Sequence, residues 1–469
     1  MLSFLVYTLG CKLNQLESEA ITDAFSHAGF VKAGIGNRGT GTGRQSFEDS
    51  PAVIVINTCT VTSKADQKAR RVIRKALRDY PDAGVIVTGC YAQLNKDDIL
   101  ALETDGGKRL HVVKKDNILD YIKNNDTFFS PRVSASLRDN NGIFQFNPKN
   151  FSAHTRSFLK IQDGCGKHCT YCKIRLARGP SVSLPAEEAL SRLRILEQNH
   201  AEAALTGVNI SQYVTGRVHT ETQRRKDHRE EEEKVFGLSE LLDYLLSNTG
   251  KIAIRLSSLA PESIDEKLCA VLSHPRIRPH FHLSIQSCSE KILAKMGRDY
   301  NAQTIEKAAA LLRGIKNDPF LACDIIAGFP GETETEFEQT LSLCQKLDFA
   351  WIHVFPFSKR QGTQAFSFAH NAAESEVTKR VKRLADLAEQ GKARYVRRWL
   401  GREVEVVIIN KRTEAHCRGV SENYLKVLVN YNGEKPPVPG EVVICGLTET
   451  SNEKDIDVYG DYRPMRDKD

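Results

Sequence analysis

The chain has 469 residues, room for about three domains at roughly 150 residues each. Its composition, 41% hydrophobic and 27% charged, is that of an ordinary folded soluble protein with enough apolar chain for more than one core, so disulfide staples are not required. The net charge of +7 hints at an acidic partner without identifying one. The opening stretch MLSFLVYTLGC carries an apolar run, but the run is short and no Lys or Arg precedes Cys11, which argues against an export signal. No apolar run reaches the roughly 18 residues of a membrane span. No membrane partner and a cytoplasmic location are therefore expected, where thiols stay reduced and cysteines read as metal ligands or core residues.

Residues 1–125 alternate strand and helix signals. LSFLVYTL is a short apolar run; NQLESEAITDAFSHAGF follows with helical spacing, Asn14 and Glu17 resembling a capping box and Gly29 lying near a stop. AVIVINT reads as a second, buried strand, SKADQKARRVIRKALRDY as a helix opened by Ser63, and AGVIVTG as a third strand. Such alternation predicts an α/β fold with a parallel sheet and crossover helices. Residues 33–50 read as a surface loop and residues 126–152 as a linker. From 153 to 399 the alternation lengthens, with strands at 158–162, 203–206, 252–257, 280–285, 321–326 and 351–355. Helices separate them, including 186–198, 238–247, 302–315 and 333–346. Six strand–helix units predict a partial version of the eight-fold barrel, with working residues at the C-terminal strand ends. The almost wholly charged stretch 217–234 reads as a solvated insertion without chemistry. A basic helix over about 374–399 leads into residues 401–467, where EVEVVII, YLKVLVNY, EVVICGL and DIDVYG predict a small antiparallel barrel.

Three cysteines end strand segments of the N-terminal domain: Cys11 in YTLGC, Cys59 in INTC and Cys90 in VTGC. Open parallel sheets bind ligands outside the carboxyl ends of their strands. Three thiols arriving there favour a shared ligand over three separate core thiols. A second triad, Cys165, Cys169 and Cys172, stands in DGCGKHCTYC after the first barrel strand. Structural zinc wants four ligands; no second cysteine pair lies at zinc-ribbon spacing, and His168 is awkwardly adjacent to Cys169. Three thiolates suit an iron–sulfur cube with one iron open to a non-protein ligand, so iron–sulfur is favoured and zinc is the alternative. Cys269, Cys288, Cys323, Cys344, Cys417 and Cys445 read as packing residues.

The spacing C-x3-C-x2-C, with Tyr171 before the last cysteine, resembles the radical S-adenosylmethionine (SAM) superfamily. With Cys11, Cys59 and Cys90 added, the chain is similar to the methylthiotransferases over nearly its whole length and in the same domain order. TLGCKLNQLES, NTCTVTSKADQKARR, DIIAGFPGETETEF and HVFPFSKRQGT resemble the branch acting on threonylcarbamoyladenosine in tRNA. The resemblance implies a Rossmann-like open parallel sheet over 1–125, a partial (β/α)6 radical-SAM barrel over 153–399 and a TRAM barrel that grips RNA over 401–467. It implies two [4Fe-4S] clusters, an auxiliary one on Cys11, Cys59 and Cys90 and one on Cys165, Cys169 and Cys172 whose open iron is chelated by S-adenosyl-L-methionine. The implied reaction cleaves that cofactor to a 5′-deoxyadenosyl radical and converts the modified adenosine just 3′ of the anticodon to its 2-methylthio form. The C–H at carbon 2 is neither acidic nor electrophilic, so polar catalysis has little to act on and the cofactor supplies the hard chemistry. The implied partners are the tRNA anticodon stem-loop, an electron donor and a sulfur donor, the chain acting as a monomer.

The resemblance implies that Tyr171 packs on the cofactor's adenine. LTGVN, with Thr206, Gly207 and Asn209, resembles the segment that contacts its methionine part, beside the plainer reading of a strand-to-loop glycine. Arg255, Ser257 and Gln286 lie near strand ends and are expected to line the cofactor pocket; the segment from Asp324 to Gly331 resembles the adenine side. The chain departs from the family at Arg175, where Pro is usual, at Pro180, where Arg is usual, and at Cys288, where Gly is usual. These departures remove no cluster ligand and bear on the shape of the substrate side. Two helices are strongly basic, one with Lys64, Lys68, Arg70, Arg71, Arg74, Lys75 and Arg78, the other with Lys379, Arg380, Lys382, Arg383, Lys392, Arg394, Arg397 and Arg398. Phosphate binding is favoured for both over plain solvated faces. Tyr424 and Tyr431 read either as base-stacking or as packing residues. The rival readings are a methylthiotransferase acting on isopentenyladenosine tRNA or a ribosomal protein, and a non-catalytic, metal-stabilised RNA-binding protein.

Overall fold

The computed structural model describes residues 2–33, 50–103, 109–124, 144–146, 148, 157–215, 236–369, 372–413, 415–431 and 436–463. The loop expected at 33–50, the linker at 126–152 and the charged insertion at 217–234 lie wholly or almost wholly outside them. The chain divides into two compact units. One is Met1–Ala153 with Asp163–Cys165 and Cys172–Pro180; the other is His154–Gln162, Gly166–Tyr171 and Ser181–Asp469.

In the first unit, β1 (Ser3–Thr8), β2 (Val31–Lys32), β3 (Val53–Thr58), β4 (Gly84–Gly89) and β5 (Leu110–Val112) form one sheet in the order β2-β1-β3-β4-β5. Every pairing is parallel. β3 and β4 are buried at every position, so both read as unbroken apolar runs. Alternate strand residues serve opposite faces. Ile54, Ile56, Val85 and Val87 pack with Ala69, Ile73 and Ala76 of α2 (Ser63–Asp79), while Phe4, Val53, Val55 and Ile86 pack with Ile21 and Phe25 of α1 (Lys12–His27). Short helices α3 (Cys90–Leu94), α4 (Lys96–Leu100), α5 (Ile118–Asn124) and α6 (Ile174–Arg178) complete the unit. The expected capping box at Asn14 and Glu17 is not formed. Cys11 takes the cap position of α1 without a side-chain bond, and Asn14 and Glu17 are buried in long-range contacts. Thr62, not Ser63, caps α2, accepting from the Ala65 amide at 3.1 Å.

In the second unit six strands follow one another in space as in sequence: β6 (Ser157–Lys160), β7 (Glu202–Thr206), β8 (Ala253–Leu256), β9 (His280–Gln286), β10 (Phe320–Ala327) and β11 (Trp351–Pro356). All their ladders are parallel, and the parallel bridges Ile254↔Ile277 and Leu259↔Leu283 join β8 to β9. This is the partial six-strand barrel expected from the sequence. Its helices are α7 (Ala186–Glu197), α8 (Leu238–Ser247), α9 (Glu266–Leu272), α10 (Glu290–Met296), α11 (Ala302–Ile315), α12 (Glu334–Lys346) and α13 (Glu374–Trp399). α9 and α10 escape detection in the sequence because two turns give too little periodicity. No helix of the described residues is long and apolar enough to cross a membrane.

α13 leads into β12 (Glu403–Lys411), β13 (His416–Ser421), β14 (Lys426–Asn430), β15 (Val442–Thr450) and β16 (Val458–Arg463), which close a barrel in the order β12-β13-β14-β16-β15. β14 and β16 pair in parallel, the one exception to the antiparallel pattern. Tyr431 is buried in this barrel, its hydroxyl donating to the Thr413 carbonyl at 3.2 Å. The β13–β14 turn enters the amino-terminal mouth of the six-strand barrel. There the Tyr424 ring lies 4.0 Å from His280 and 6.0 Å from Phe320, with the Arg255 guanidinium 5.2 Å from its centroid. Both tyrosines are thus packing residues and neither is presented for stacking on a base.

This junction also relocates Arg255. Glu202 begins β7 as a buried carboxylate and draws Arg255 Nε and Nη2 to 2.7 and 2.9 Å, and Arg278 Nε to 3.0 Å. Arg255 donates further to the carbonyls of Ser421 and Glu422, at 3.2 and 3.1 Å. Its side chain therefore runs back toward the strand starts and is consumed there, contrary to the expectation that it lines the cofactor pocket. Removing Glu202 leaves two arginines facing a buried void. Glu202→Ala is expected to destabilise the second unit by about 3–5 kcal/mol, read as a lowered midpoint in urea unfolding. Glu405→Ala, which removes a half-exposed partner of Arg278, costs far less.

Candidate cluster and cofactor sites

The parallel pairing of β1, β3 and β4 brings Cys11, Cys59 and Cys90 out at one edge of the sheet. Cys11 is exposed, Cys59 and Cys90 are buried, and each buried thiol feels the charge of Cys11. The approach is close enough to dictate glycines. At Gly10 (φ +118°) a Cβ would lie 2.5 Å from Cys59 Cβ and 3.0 Å from Cys59 Sγ. At Gly89 (φ +92°) it would lie 2.4 Å from the Thr58 carbonyl oxygen. Polar side chains pin the strand ends. Asn14 Nδ2 donates to Asn57 Oδ1 at 3.1 Å and to the Thr58 carbonyl at 2.9 Å, and Thr58 Oγ1 donates to the Thr88 carbonyl at 2.5 Å. Burial pushes the Cys59 thiol up to about 12, so its proton must leave when a metal binds.

Cys90 is tied to four charges that sequence reasoning missed. Arg178 Nε donates to Cys90 Sγ at 3.1 Å. Arg178 Nη1 reaches Glu17 Oε1 at 3.0 Å and both oxygens of Asp163 at 3.1 Å, and Nη2 reaches Glu17 Oε2 at 3.4 Å. Lys115 Nζ lies 2.8 Å from Asp163 Oδ2 and 3.7 Å from Glu17 Oε1. All five residues are buried within the first unit. Burial opposes the Arg178 charge, but Cys90, Glu17 and Asp163 outweigh it and hold the guanidinium well above its ordinary pKa. Burial raises the Cys90 thiol, with Arg178 working against it.

The second triad lies on the loop between β6 and α6. Its three thiols are half-buried. The Cys165 amide donates to the Gly179 carbonyl at 3.1 Å, and Cys172 Sγ accepts from the Ile174 amide at 3.4 Å. Gly164 (φ +68°) leaves no room for a side chain: a Cβ there would meet the Pro180 carbonyl oxygen at 1.8 Å. In the second unit, the Thr170 amide donates to the Met296 carbonyl at 3.0 Å and its carbonyl accepts from the Ala365 amide at 2.8 Å, which fixes the loop around Cys169. Arg298 stands within electrostatic reach of Cys169, donates to the Tyr171 hydroxyl and keeps a buried Nε without a partner among the described residues. The Tyr171 ring meets Phe329 edge-on at 6.2 Å, beside the Asp324–Gly331 segment.

Of the expected cofactor contacts, Thr206, Gly207, Asn209, Ser257 and Gln286 lie at or just beyond the carboxyl ends of β7, β8 and β9. Thr206 ends β7. At Gly207 a Cβ would lie 2.8 Å from Gln162 Oε1, and that same oxygen accepts from the Asn209 amide at 2.9 Å. Gln162, which nothing in the sequence singles out, thereby braces this turn. Ser257 follows β8 with a buried Oγ that has no partner among the described residues. Gln286 ends β9 at φ +69°, a left-handed conformation that a non-glycine residue adopts at some cost. Asp324 Oδ1 is 3.0 Å from His282 Nε2, and the His282 ring stacks on His353 with centroids 5.1 Å apart. Arg255 alone of the expected set is drawn away. The substituted Cys288 is 3% exposed, its thiol against Cys344, so it belongs to the core; the other five expected packing cysteines are buried as well.

No three His, Cys, Asp or Glu side chains among the described residues clasp one point closely enough for a single ion. An iron–sulfur cube asks for something else: one thiolate on each of three irons, with donors soft and few. The first triad, gathered at one sheet edge, fits that group. Within the second unit, Ser257 Oγ and Arg298 Nε, buried and without partners among the described residues, fit a polar cofactor.

The two basic helices separate. On α13, Arg380 pairs with Glu332 at 3.1 Å, Lys382 with Asp386 at 2.7 Å, Arg383 with Glu334 and Glu338 at 2.8 and 2.6 Å, and Lys392 with Asp457 at 2.9 Å. Arg394 pairs with Asp348 at 2.8 Å and Arg398 with Asp318 at 3.0 Å. The expected phosphate-binding face of α13 is therefore largely neutralised by its own neighbours. On α2, Lys64, Lys68, Arg71 and Arg74 are exposed and have no carboxylate partner among the described residues.

Residues 159–344 match the family model described as the radical SAM superfamily, and residues 3–106 match the one described as uncharacterized protein family UPF0004. The threonylcarbamoyladenosine tRNA methylthiotransferase MtaB of Treponema pallidum (strain Nichols) is 35% identical, covering 92% of this chain and 95% of its own length. The protein of the same name from Thermotoga maritima is 33% identical over 90% of both chains. A tRNA-2-methylthio-N(6)-dimethylallyladenosine synthase of Francisella tularensis subsp. novicida is 26% identical, covering 95% of this chain and 96% of its own.

The glycine geometry predicts an ordering of stabilities. Gly89→Ala forces a Cβ onto the Thr58 carbonyl, whereas Gly29→Ala, at a similar positive φ, meets open space. Thermal unfolding should show Gly89→Ala destabilised by more than about 1 kcal/mol and Gly29→Ala affected less.

Proposed function

Because the chain belongs to the family of the threonylcarbamoyladenosine tRNA methylthiotransferases, we propose that it converts N6-threonylcarbamoyladenosine just 3′ of the tRNA anticodon to its 2-methylthio derivative. The observation that carries this reading is a full-length likeness to that branch in a chain that also presents two cysteine triads. In this reading Cys11, Cys59 and Cys90 hold an auxiliary [4Fe-4S] cluster, and Cys165, Cys169 and Cys172 hold the one that binds S-adenosylmethionine. When bound, these groups supply the one-electron chemistry that a non-acidic C–H requires. The protein's part is to position and to shield. Gly207 and Asn209, braced by Gln162, shape the turn beside the cofactor; Ser257 Oγ offers it an unspent hydrogen bond; Tyr171 is held in place by Arg298 and Phe329.

Lys64, Lys68, Arg71 and Arg74 of α2, without carboxylate partners among the described residues, support it, rather than α13, as the face that tracks the anticodon-stem phosphates, with the C-terminal barrel acting as a TRAM domain on the same RNA. A cytoplasmic monomer served by separate sulfur and electron donors completes the proposal.

Three measurements test it. Anaerobic reconstitution should load about eight irons per chain, and Cys59→Ala or Cys169→Ala should each lose about half; zinc without iron would end the cluster reading. Deleting the gene should abolish the 2-methylthio threonylcarbamoyl nucleoside in tRNA digests; its undiminished persistence, with no second enzyme present, would sink the substrate assignment. Replacing Lys64, Lys68, Arg71 and Arg74 by Gln should raise KM for tRNA at least about tenfold and flatten the salt dependence of log K by about 0.7–0.9 for each phosphate left unneutralised. The matched set Lys382, Arg383, Arg394 and Arg398 should leave that slope nearly unchanged.

A further inference from the structure

We propose that Arg178 sets the reduction potential of the cluster on Cys11, Cys59 and Cys90, through the hydrogen bond from its Nε to Cys90 Sγ. The proposal rests on the two-cluster reading and adds to it a positioning residue outside the ligand set.

The guanidinium is held from the far side. Nη1 and Nη2 are committed to Glu17 and Asp163. A planar fork fixed at two corners has no freedom left at the third. Nε–H is thereby aimed at the sulfur at 3.1 Å, in a place where Arg178 and Cys90 are both buried. Glu17 and Asp163 are themselves fixed by Lys115. The two cations and the two carboxylates balance, so they form a rigid mount of no net charge with one N–H turned outward to a ligand atom.

A purely structural ion network would not need that direction. Its charges would be equally satisfied with Nε facing a backbone carbonyl. Facing a ligand sulfur has a specific consequence: a donor there withdraws electron density from the thiolate and stabilises the reduced cluster. The guanidinium is the end of the mount that faces the sulfur, so its charge acts in the same sense even though the mount as a whole is neutral. Lysine cannot replace it, because a point charge cannot bind two carboxylates in a fork and present a third N–H at a set angle.

The test uses the full chain with Cys165, Cys169 and Cys172 replaced by Ala, reconstituted anaerobically so that the auxiliary site alone is loaded. Iron and sulfide analysis confirm loading, and an EPR-monitored redox titration reads the midpoint. Arg178→Gln should move the midpoint to more negative values. Glu17→Gln, which removes a negative charge from the far side of the same guanidinium, should move it the opposite way. Arg178→Lys should fall between Arg178→Gln and the parent, because it keeps the charge and loses the aimed bond. Opposite shifts cannot arise from a general loosening of the fold. If Arg178→Gln fails to load, Arg178→Lys and Glu17→Gln decide the matter. A loaded cluster whose midpoint stays put, or shifts in one direction for both Glu17→Gln and the Arg178 variants, overturns the proposal while leaving the two-cluster reading intact. A parent chain that loads no cluster overturns both.

Discussion

Parallel pairing sends every strand of a sheet out at the same edge, and both units of this chain place their chemistry on that edge. In the first, β1, β3 and β4 deliver one cysteine each to neighbouring positions. In the second, β7, β8 and β9 deliver Thr206, Ser257 and Gln286 to one rim, and β10 runs on into the Asp324–Gly331 segment beside them. The ligands need not be close in sequence, because the sheet supplies the closeness. What the sequence must supply is room, and it does so with glycine where backbones or thiols crowd, as at Gly10 and Gly89.

Charges buried at either end of such strands must be matched. An isolated buried ion costs several kcal/mol, and a pair recovers this only with good geometry and full hydrogen bonding. Among the described residues the chain meets that condition with Glu202 between Arg255 and Arg278, with Glu17 and Asp163 between Arg178 and Lys115, and with Glu332 on Arg380. The first group of charges sits at the base of the strands and is structural. The second touches a thiol expected to carry metal, where the direction of each N–H has electronic consequences.

The strands were legible because a strand buried on both faces leaves an unbroken apolar run, as AVIVINT does, and each expected strand of the six-strand barrel lies within about two residues of the observed one; in the C-terminal barrel the expected strands fall up to three residues off and His416–Ser421 was not anticipated. The cysteine triads were legible because they end those runs. The charge network was not. Its members, residues 17, 115, 163 and 178, are scattered along the chain and show no local period. The fate of α13 was hidden for the same reason, since Asp318, Asp348, Glu332 and Asp457 reach it from other elements. Arg255 misled because its backbone position near a strand end says nothing of where a long side chain travels, and the buried carboxylate of Glu202 decided that.

The seating of Tyr424 bears on how this architecture can be divided. A C-terminal barrel that follows a catalytic core invites treatment as an interchangeable module. Here the turn from Ser421 to Tyr424 closes the mouth of the six-strand barrel, supplies two acceptors to Arg255 and lays an aromatic ring over His280. Asn423 donates to the Tyr395 hydroxyl of α13 at 3.2 Å. Truncation before β12 would uncover that mouth and strip a buried arginine of partners. A chimera that exchanges the barrel would have to bring these four residues with it, so the two parts are expected to be inherited together rather than reshuffled.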